Sequence, residues 1–167
     1  MYDKLTESDV RKMEEEIEYR KLELRKQLLE EVKETRAHGD LSENFEYHAA
    51  KREKNKNESR IRYLERMIRT AQIIADHSGE DEVGMNDRVE VYFEEDGLTE
   101  SYRIVTTVRS DSLNQLISIE SPLGKALLGK KTGDRVEVKV NPSYSYFVTI
   151  KNIDKGEDDS GDKIRGY

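Results

Sequence analysis

Gly39-Asp40-Leu41-Ser42-Glu43-Asn44 lies between two long charged runs, and reading it as the turn of a hairpin decides the fold. Upstream, from Thr6 to about Ala37, there is neither proline nor glycine, and Val10, Met13, Ile17, Leu24, Leu28 and Val32 fall close to one helical stripe. That predicts a single helix of about eight turns. Downstream, a second helix is expected from Ser42 to about Asp76, where Ile61, Leu64, Ile68, Ala71 and Ala75 recur at coiled-coil spacing. Extended backwards, the seam meets Asn57, Lys54, Ala50 and Tyr47, so its apolar half lies at the base and its polar half near the turn. So short a connection forces the helices antiparallel, and an arm of roughly 30 residues reaches about 45 Å.

Beyond the second helix the pattern changes. His77-Ser78-Gly79-Glu80-Asp81-Glu82-Val83-Gly84 is polar and glycine-bearing, and reads as a linker over 77–84 after a hairpin at 1–76. Residues then alternate with a period of two over Arg88–Phe93, Tyr102–Val108, Arg135–Val140 and Tyr146–Ile150, with a short apolar run at Leu116–Ile119. Five strands are expected within 85–154, with a turn at Glu95-Asp96-Gly97. Ser121-Pro122-Leu123-Gly124-Lys125-Ala126-Leu127-Leu128-Gly129 has the proline-first, glycine-last form of a short helix. The segment 155–167 is charged and nearly free of apolar residues, so it reads as a mobile tail. The fold class is therefore α+β, a helical hairpin followed by a small antiparallel sheet domain with one short helix.

Composition supports a division into two parts. Charged residues make up 39% of the 167-residue chain and apolar ones 34%, too polar for one large core. Cysteine is absent, which excludes disulfides and thiolate metal sites. No window approaches the ~20 apolar residues of a membrane span, and the N-terminus has no apolar leader, so a cytoplasmic protein without membrane contact is expected. The net charge is −7, but its distribution is uneven: residues 1–34 carry −3 and residues 47–69 carry +5. An acidic chain with one basic strip is poorly suited to grip a free duplex, which requires many phosphates to be neutralised at once.

Asp40 and Glu43 put two carboxylates three residues apart at the turn. One reading is a capping box, in which Asp40 or Ser42 caps the incoming helix and Glu43 reaches back to an orphan N–H. The other is shared metal binding, since Mg²⁺ takes oxygen ligands and commonly uses one or two carboxylates. Two acids are too few to hold the ion alone, so the remaining ligands would come from a partner. Spacing leaves both readings open.

The run His38-Gly39-Asp40-Leu41-Ser42-Glu43-Asn44-Phe45-Glu46-Tyr47-His48-Ala49-Ala50-Lys51, followed by Ser121 to Lys130, resembles the bacterial transcript cleavage factors of the GreA/GreB family, and is closer to GreA. The resemblance spans nearly the whole chain. It implies an FKBP-like second domain and a monomeric partner of RNA polymerase, with the hairpin tip entering the secondary channel. Asp40 and Glu43 would there assist the polymerase in Mg²⁺-dependent cleavage of backtracked nascent RNA, as an activator rather than as an enzyme in its own right. Ser42 and Asn44 would support the tip, Arg36, Lys51 and Arg52 would contact the extruded RNA, and Ser121, Pro122 and Leu123 would dock on the polymerase. One residue departs from the pattern: Phe45 stands where family members commonly carry alanine. It either packs inward near Ala37 or is displayed at the tip, where it would stack on RNA or obstruct the channel. Obstruction would favour a Gre-like relative that occupies the channel and modulates polymerase without stimulating cleavage.

Overall fold

The computed structural model describes residues 3–39, 43–158 and 161–166. The chain forms two compact units. One is built on Val10–Ala71, and the other joins Asp3–Asp9 to the chain from Gln72 onward.

The first unit is a helical hairpin. Helix α1 runs Glu7–Tyr19 and is followed by a π-helical segment, Arg20–Leu24, and by α2, Arg25–Arg36; α3, Phe45–Thr70, returns. Cross-helix partners establish the antiparallel sense: Glu16 meets Arg60, Arg20 meets Asn57, Arg25 meets Glu58 and Thr35 meets Asn44. Leu28, Ala50, Ile61, Leu64 and Met67 are buried along the seam. The expected uninterrupted first helix is thus corrected, because a wider turn is inserted at 20–24. There the Arg20 carbonyl accepts the i+5 bond from the Arg25 N–H and a second bond, 3.2 Å long, from Asn57 Nδ2. A side chain from the opposite helix compensates the irregular backbone.

The same level of the hairpin is polar. Glu16 accepts from Arg20 Nε at 2.8 Å and from Arg60 Nε at 2.8 Å, and Arg25 binds Glu58 in a two-bond fork of 2.7 and 2.9 Å. Burial alone would raise the Glu16 pKa, but the hydrogen bonds and charges of Arg60 and Arg20 outweigh it and hold it below its ordinary value.

Helix α3 ends at Thr70, six residues before the expected end, and Ala71 is extended at ψ 146°. Non-local pairing takes over: β2, Gln72–Ile73, lies parallel to β1, Lys4–Leu5, with the Gln72 N–H donating to Asp3 O at 2.9 Å. The predicted seam positions Ala71 and Ala75 therefore lie outside the helix.

The second unit carries a five-stranded sheet made of β3, Arg88–Phe93; β4, Leu98–Val105; β5, Leu116–Ser118; β6, Arg135–Asn141; and β7, Tyr144–Asp154, in the order β5-β4-β3-β7-β6. Helix α4, Pro122–Leu127, follows β5. Gly97, at φ +67°, makes the expected turn between β3 and β4. Alternation places Val89, Val91, Val136, Val138, Val148 and Ile150 in one core with Ile104, Ile119, Leu123 and Leu127. The sheet is mixed rather than wholly antiparallel, since β5 pairs parallel to β4 in the register Arg103↔Leu116. The connection explains this: two 3₁₀ turns and a left-handed Gln115, φ +57°, carry the chain back before it pairs, which a tight hairpin cannot do.

Two sequence-based boundaries are also corrected. The expected linker 77–84 ends inside the sheet unit, where Val83 is fully buried and exchanges 2.8 Å backbone bonds with Gly129 and Lys130. The expected mobile tail is held down in its described parts. Lys155 Nζ meets Asp87 Oδ2 at 2.6 Å, Arg103 Nη1 lies 2.7 and 2.8 Å from the two oxygens of Asp162, and the Arg165 N–H donates to Val108 O at 2.7 Å. None of the described helices is long and apolar enough to cross a membrane.

The N-terminal strand and turn are anchored by one buried cation. Thr6 and Asp9 cap the start of α1 reciprocally, at 3.0 and 3.2 Å. The Asp9 carboxylate also accepts from the Thr106 hydroxyl at 2.7 Å and from Arg109 Nε. Arg109 in turn donates to the Asp158 carbonyl at 2.8 Å. Both Asp9 and Arg109 side chains are essentially inaccessible to water.

Asp9→Asn therefore removes the one fully buried carboxylate opposite the Arg109 guanidinium, leaving the more exposed Asp158 at 3.2 Å and Asp162 at 3.8 Å, and urea titration of the full chain is expected to show a loss of about 3 kcal/mol in the sheet unit. Glu16→Gln tests the hairpin. Because the folded-state pKa of Glu16 is depressed, its contribution is present above the ordinary value of 4.5 and is lost as pH falls through the lowered one. The stability gap between wild type and Glu16→Gln is expected at pH 7 and should close on acidification below that value; a pH-independent gap would contradict the assignment.

Candidate functional site at the hairpin tip

A helix that stops must satisfy its terminal carbonyls, and one that starts must satisfy its first N–H groups. At this tip one side chain does both. Asn44 is the N-cap of α3: its Oδ1 accepts from the Tyr47 N–H at 3.0 Å, and its Nδ2 donates to the Thr35 carbonyl in the last turn of α2 at 2.5 Å. Gly39 leaves α2 at φ +124°, a backbone conformation that favours glycine.

This assigns the cap to Asn44, whereas the capping-box reading gave it to Asp40 or Ser42. Asp40 and Ser42 lie outside the described residues. Glu43 is in the turn before the helix and is exposed. With Asn44 serving as the N-cap, the first turn of α3 does not depend on the carboxylate of Glu43, which is presented to solvent.

Around the tip the chain displays cations. Arg36, Lys51 and Arg52 are all exposed, the first at the end of α2 and the others in the second turn of α3. His38 Nδ1 lies 3.5 Å from Glu46 Oε2, and the Tyr47 and His48 rings meet edge-on at 5.4 Å between centroids. Phe45 is 84% exposed, which overturns the inward-packing alternative.

Among the described residues, no group of three His, Asp or Glu side chains converges to hold a metal ion. The donor type at the tip, an exposed carboxylate at Glu43 with Asp40 three residues before it, fits a hard oxygen-seeking cation such as Mg²⁺. Two carboxylates are too few to complete an octahedral shell.

The second motif is largely accounted for by the fold. Ser121 caps α4, accepting from the Gly124 N–H at 3.0 Å and donating to Ser118 O at 2.6 Å. Pro122 opens the helix, and Leu123 and Leu127 enter the core. A Cβ on Gly124 would lie 2.0 Å from the Ser118 carbonyl, so only glycine fits. Of the three expected docking residues, Pro122 alone is exposed. Sequence reasoning missed Asp9 and Arg109. Thr6-Glu7-Ser8-Asp9 carried a usable signal for Asp9, a Thr with an acid three residues on before an apolar run; nothing local marked Arg109 as buried.

Comparison with known proteins fits both units. The family model described as transcription elongation factor, N-terminal, matches residues 4–73, and that for transcription elongation factor, GreA/GreB, C-term, matches residues 78–155. Transcription elongation factor GreA of Thermoanaerobacter pseudethanolicus is 45% identical over 137 residues, covering 81% of this chain and 87% of that protein. The GreA of Bacillus subtilis is 43% identical over 149 residues, covering 89% and 94%. The solved structure of the transcription factor Gfh1 shares 28% identity, with a TM-score of 0.45 over 92% of this chain and 97% of that one. Two family models in tandem and relatives matched along most of their length carry the same conclusion: the chain belongs to the GreA/GreB family of transcription elongation factors.

Proposed function

We propose that this elongation factor binds RNA polymerase, inserts its hairpin tip into the secondary channel and stimulates the polymerase to cleave backtracked nascent RNA. The observation that carries this reading is the tip itself, where Glu43 is left exposed because Asn44 takes over the cap, and where exposed Arg36, Lys51 and Arg52 stand close in sequence to the acids. Carboxylates without a pocket of their own are suited to completing a site elsewhere.

In this reading Asp40 and Glu43 would hold Mg²⁺ together with ligands from the polymerase; when bound, the ion stabilises charge at the scissile phosphate and activates water. Glu43 orients the attacking water by accepting its hydrogen bond. Arg36, Lys51 and Arg52 neutralise phosphates of the extruded RNA. Asn44 fixes the turn by tying α2 to α3, while Ser42 supports it. Pro122 contributes to docking of the sheet unit on the polymerase. The chain acts as an activator, and the bond-breaking machinery is the polymerase's.

The test uses stalled, end-labelled elongation complexes of the host polymerase with Mg²⁺. Shortened RNA that can be extended again is expected with the wild-type chain, and Asp40→Asn or Glu43→Gln should reduce that shortening by about 100-fold or more while polymerase pull-down stays intact. Retained cleavage in both variants would remove the metal role. Slowed elongation without shortening would favour the channel-occupying modulator instead. Asn44→Ala is expected to cost about 1 kcal/mol of hairpin stability and to speed hydrogen exchange at the Tyr47 amide, with a partial loss of cleavage.

A further inference from the structure

Phe45 is the first residue of α3, held on a capped helix start, and its ring is almost fully exposed. No aromatic or cationic partner faces it among the described residues, whereas the adjacent Tyr47 and His48 rings pair with each other. Among the described residues of the hairpin, the other large exposed apolar ones are Tyr19, Leu22 and Leu29, the last of them two turns below the end of α2. Of the described tip residues, Phe45 is thus the one large apolar side chain displayed to solvent.

The exposed ring of Phe45 offers a face to a nucleobase. Single-stranded nucleic acid is bound by this pairing of aromatic platforms with cations that follow the backbone, and Arg36, Lys51 and Arg52 supply the cations here. We propose that Phe45 is a stacking platform for an unpaired base of the extruded RNA 3′ segment, adding base contact to a tip whose other RNA contacts are to phosphate. This rests on the proposed function and deepens it. Since every base has a π-face, the contact tolerates sequence and favours purines.

The test uses the full-length chain on backtracked complexes whose extruded nucleotides either carry bases or are abasic, and reads the factor concentration giving half-maximal cleavage. Phe45→Ala should raise that concentration by about 5- to 100-fold on base-bearing RNA and leave it unchanged on abasic RNA. Phe45→Trp should behave as wild type, and Phe45→Leu, apolar but without a π-face, should behave as Phe45→Ala. Circular dichroism should be the same for all variants, since the side chain is outside the core. Full rescue by Leu, with an equal effect on abasic RNA, would mean an apolar pocket of the polymerase and overturn the inference. So would a Phe45→Ala variant equal to or better than wild type. A wild-type chain that neither binds polymerase nor shortens RNA would overturn the proposed function itself, an outcome separable from the others because it appears before any variant is compared.

Discussion

The sheet unit depends on one buried ion pair. Arg109 is sealed from water with the Asp9 carboxylate against it, and the groups around the two come from three distant parts of the sequence: Thr6–Asp9, Thr106–Arg109 and Asp158. An isolated charge in that position would be very costly, so each segment is held where it must satisfy the others. The pair is weak evidence for net stability, because a well-packed apolar substitute of equal volume is often as good. It does give specificity, since few alternative packings could satisfy so many donors and acceptors at once. The strand pairing of Lys4–Leu5 with Gln72–Ile73 follows from that anchoring.

The hairpin uses polar chemistry differently. Its seam is apolar at Ile61, Leu64 and Met67, then turns polar at Asn57, with Arg60 and Glu16 alongside. A polar group at a seam position costs stability relative to leucine, but it fixes which residues face each other. Here Asn57 recognises the Arg20 carbonyl, a feature that exists only because the backbone widens there. Together with Asn44 bridging Thr35 and Tyr47, this pins the pairing of the two helices at the middle and at the tip.

What was legible in the sequence was local. The period of two across Arg88–Phe93 and the spacing of Ile61 and Leu64 report a face buried along a single element, so both were readable, although the next buried position is Met67 and the expected Ile68 is only half-buried. The form of Ser121 to Leu127 was readable for the same reason, since cap, proline and glycine act within one turn. The misread features are set by distant partners. Helix α3 stops at Thr70 without a breaker because Asp3 and Leu5 offer backbone bonds to Gln72 and Ile74. The polar segment ending at Val83 is drawn into the core by Gly129 and Lys130, and the charged tail is held by Arg103 and Arg109. At the tip several residues could serve as caps, and spacing alone could not rank Asn44 above Asp40 or Ser42.

The π-helical segment at Arg20–Leu24 also sets an azimuth. One residue of an α-helix turns the chain by about 100°, and a π-bulge amounts to one residue accommodated without breaking the rod. Leu28 meets the seam only because that extra rotation has been absorbed below it. Loss of a single residue from 20–24 would restore a regular helix and leave the distal half facing as it does, whereas winding all five residues as a regular α-helix would swing it by about a quarter turn. Arg36 and the exit at Gly39 would then leave the rod on another side. The compass bearing of the tip about its own axis is thus encoded some four turns away, in a backbone irregularity with no chemistry of its own.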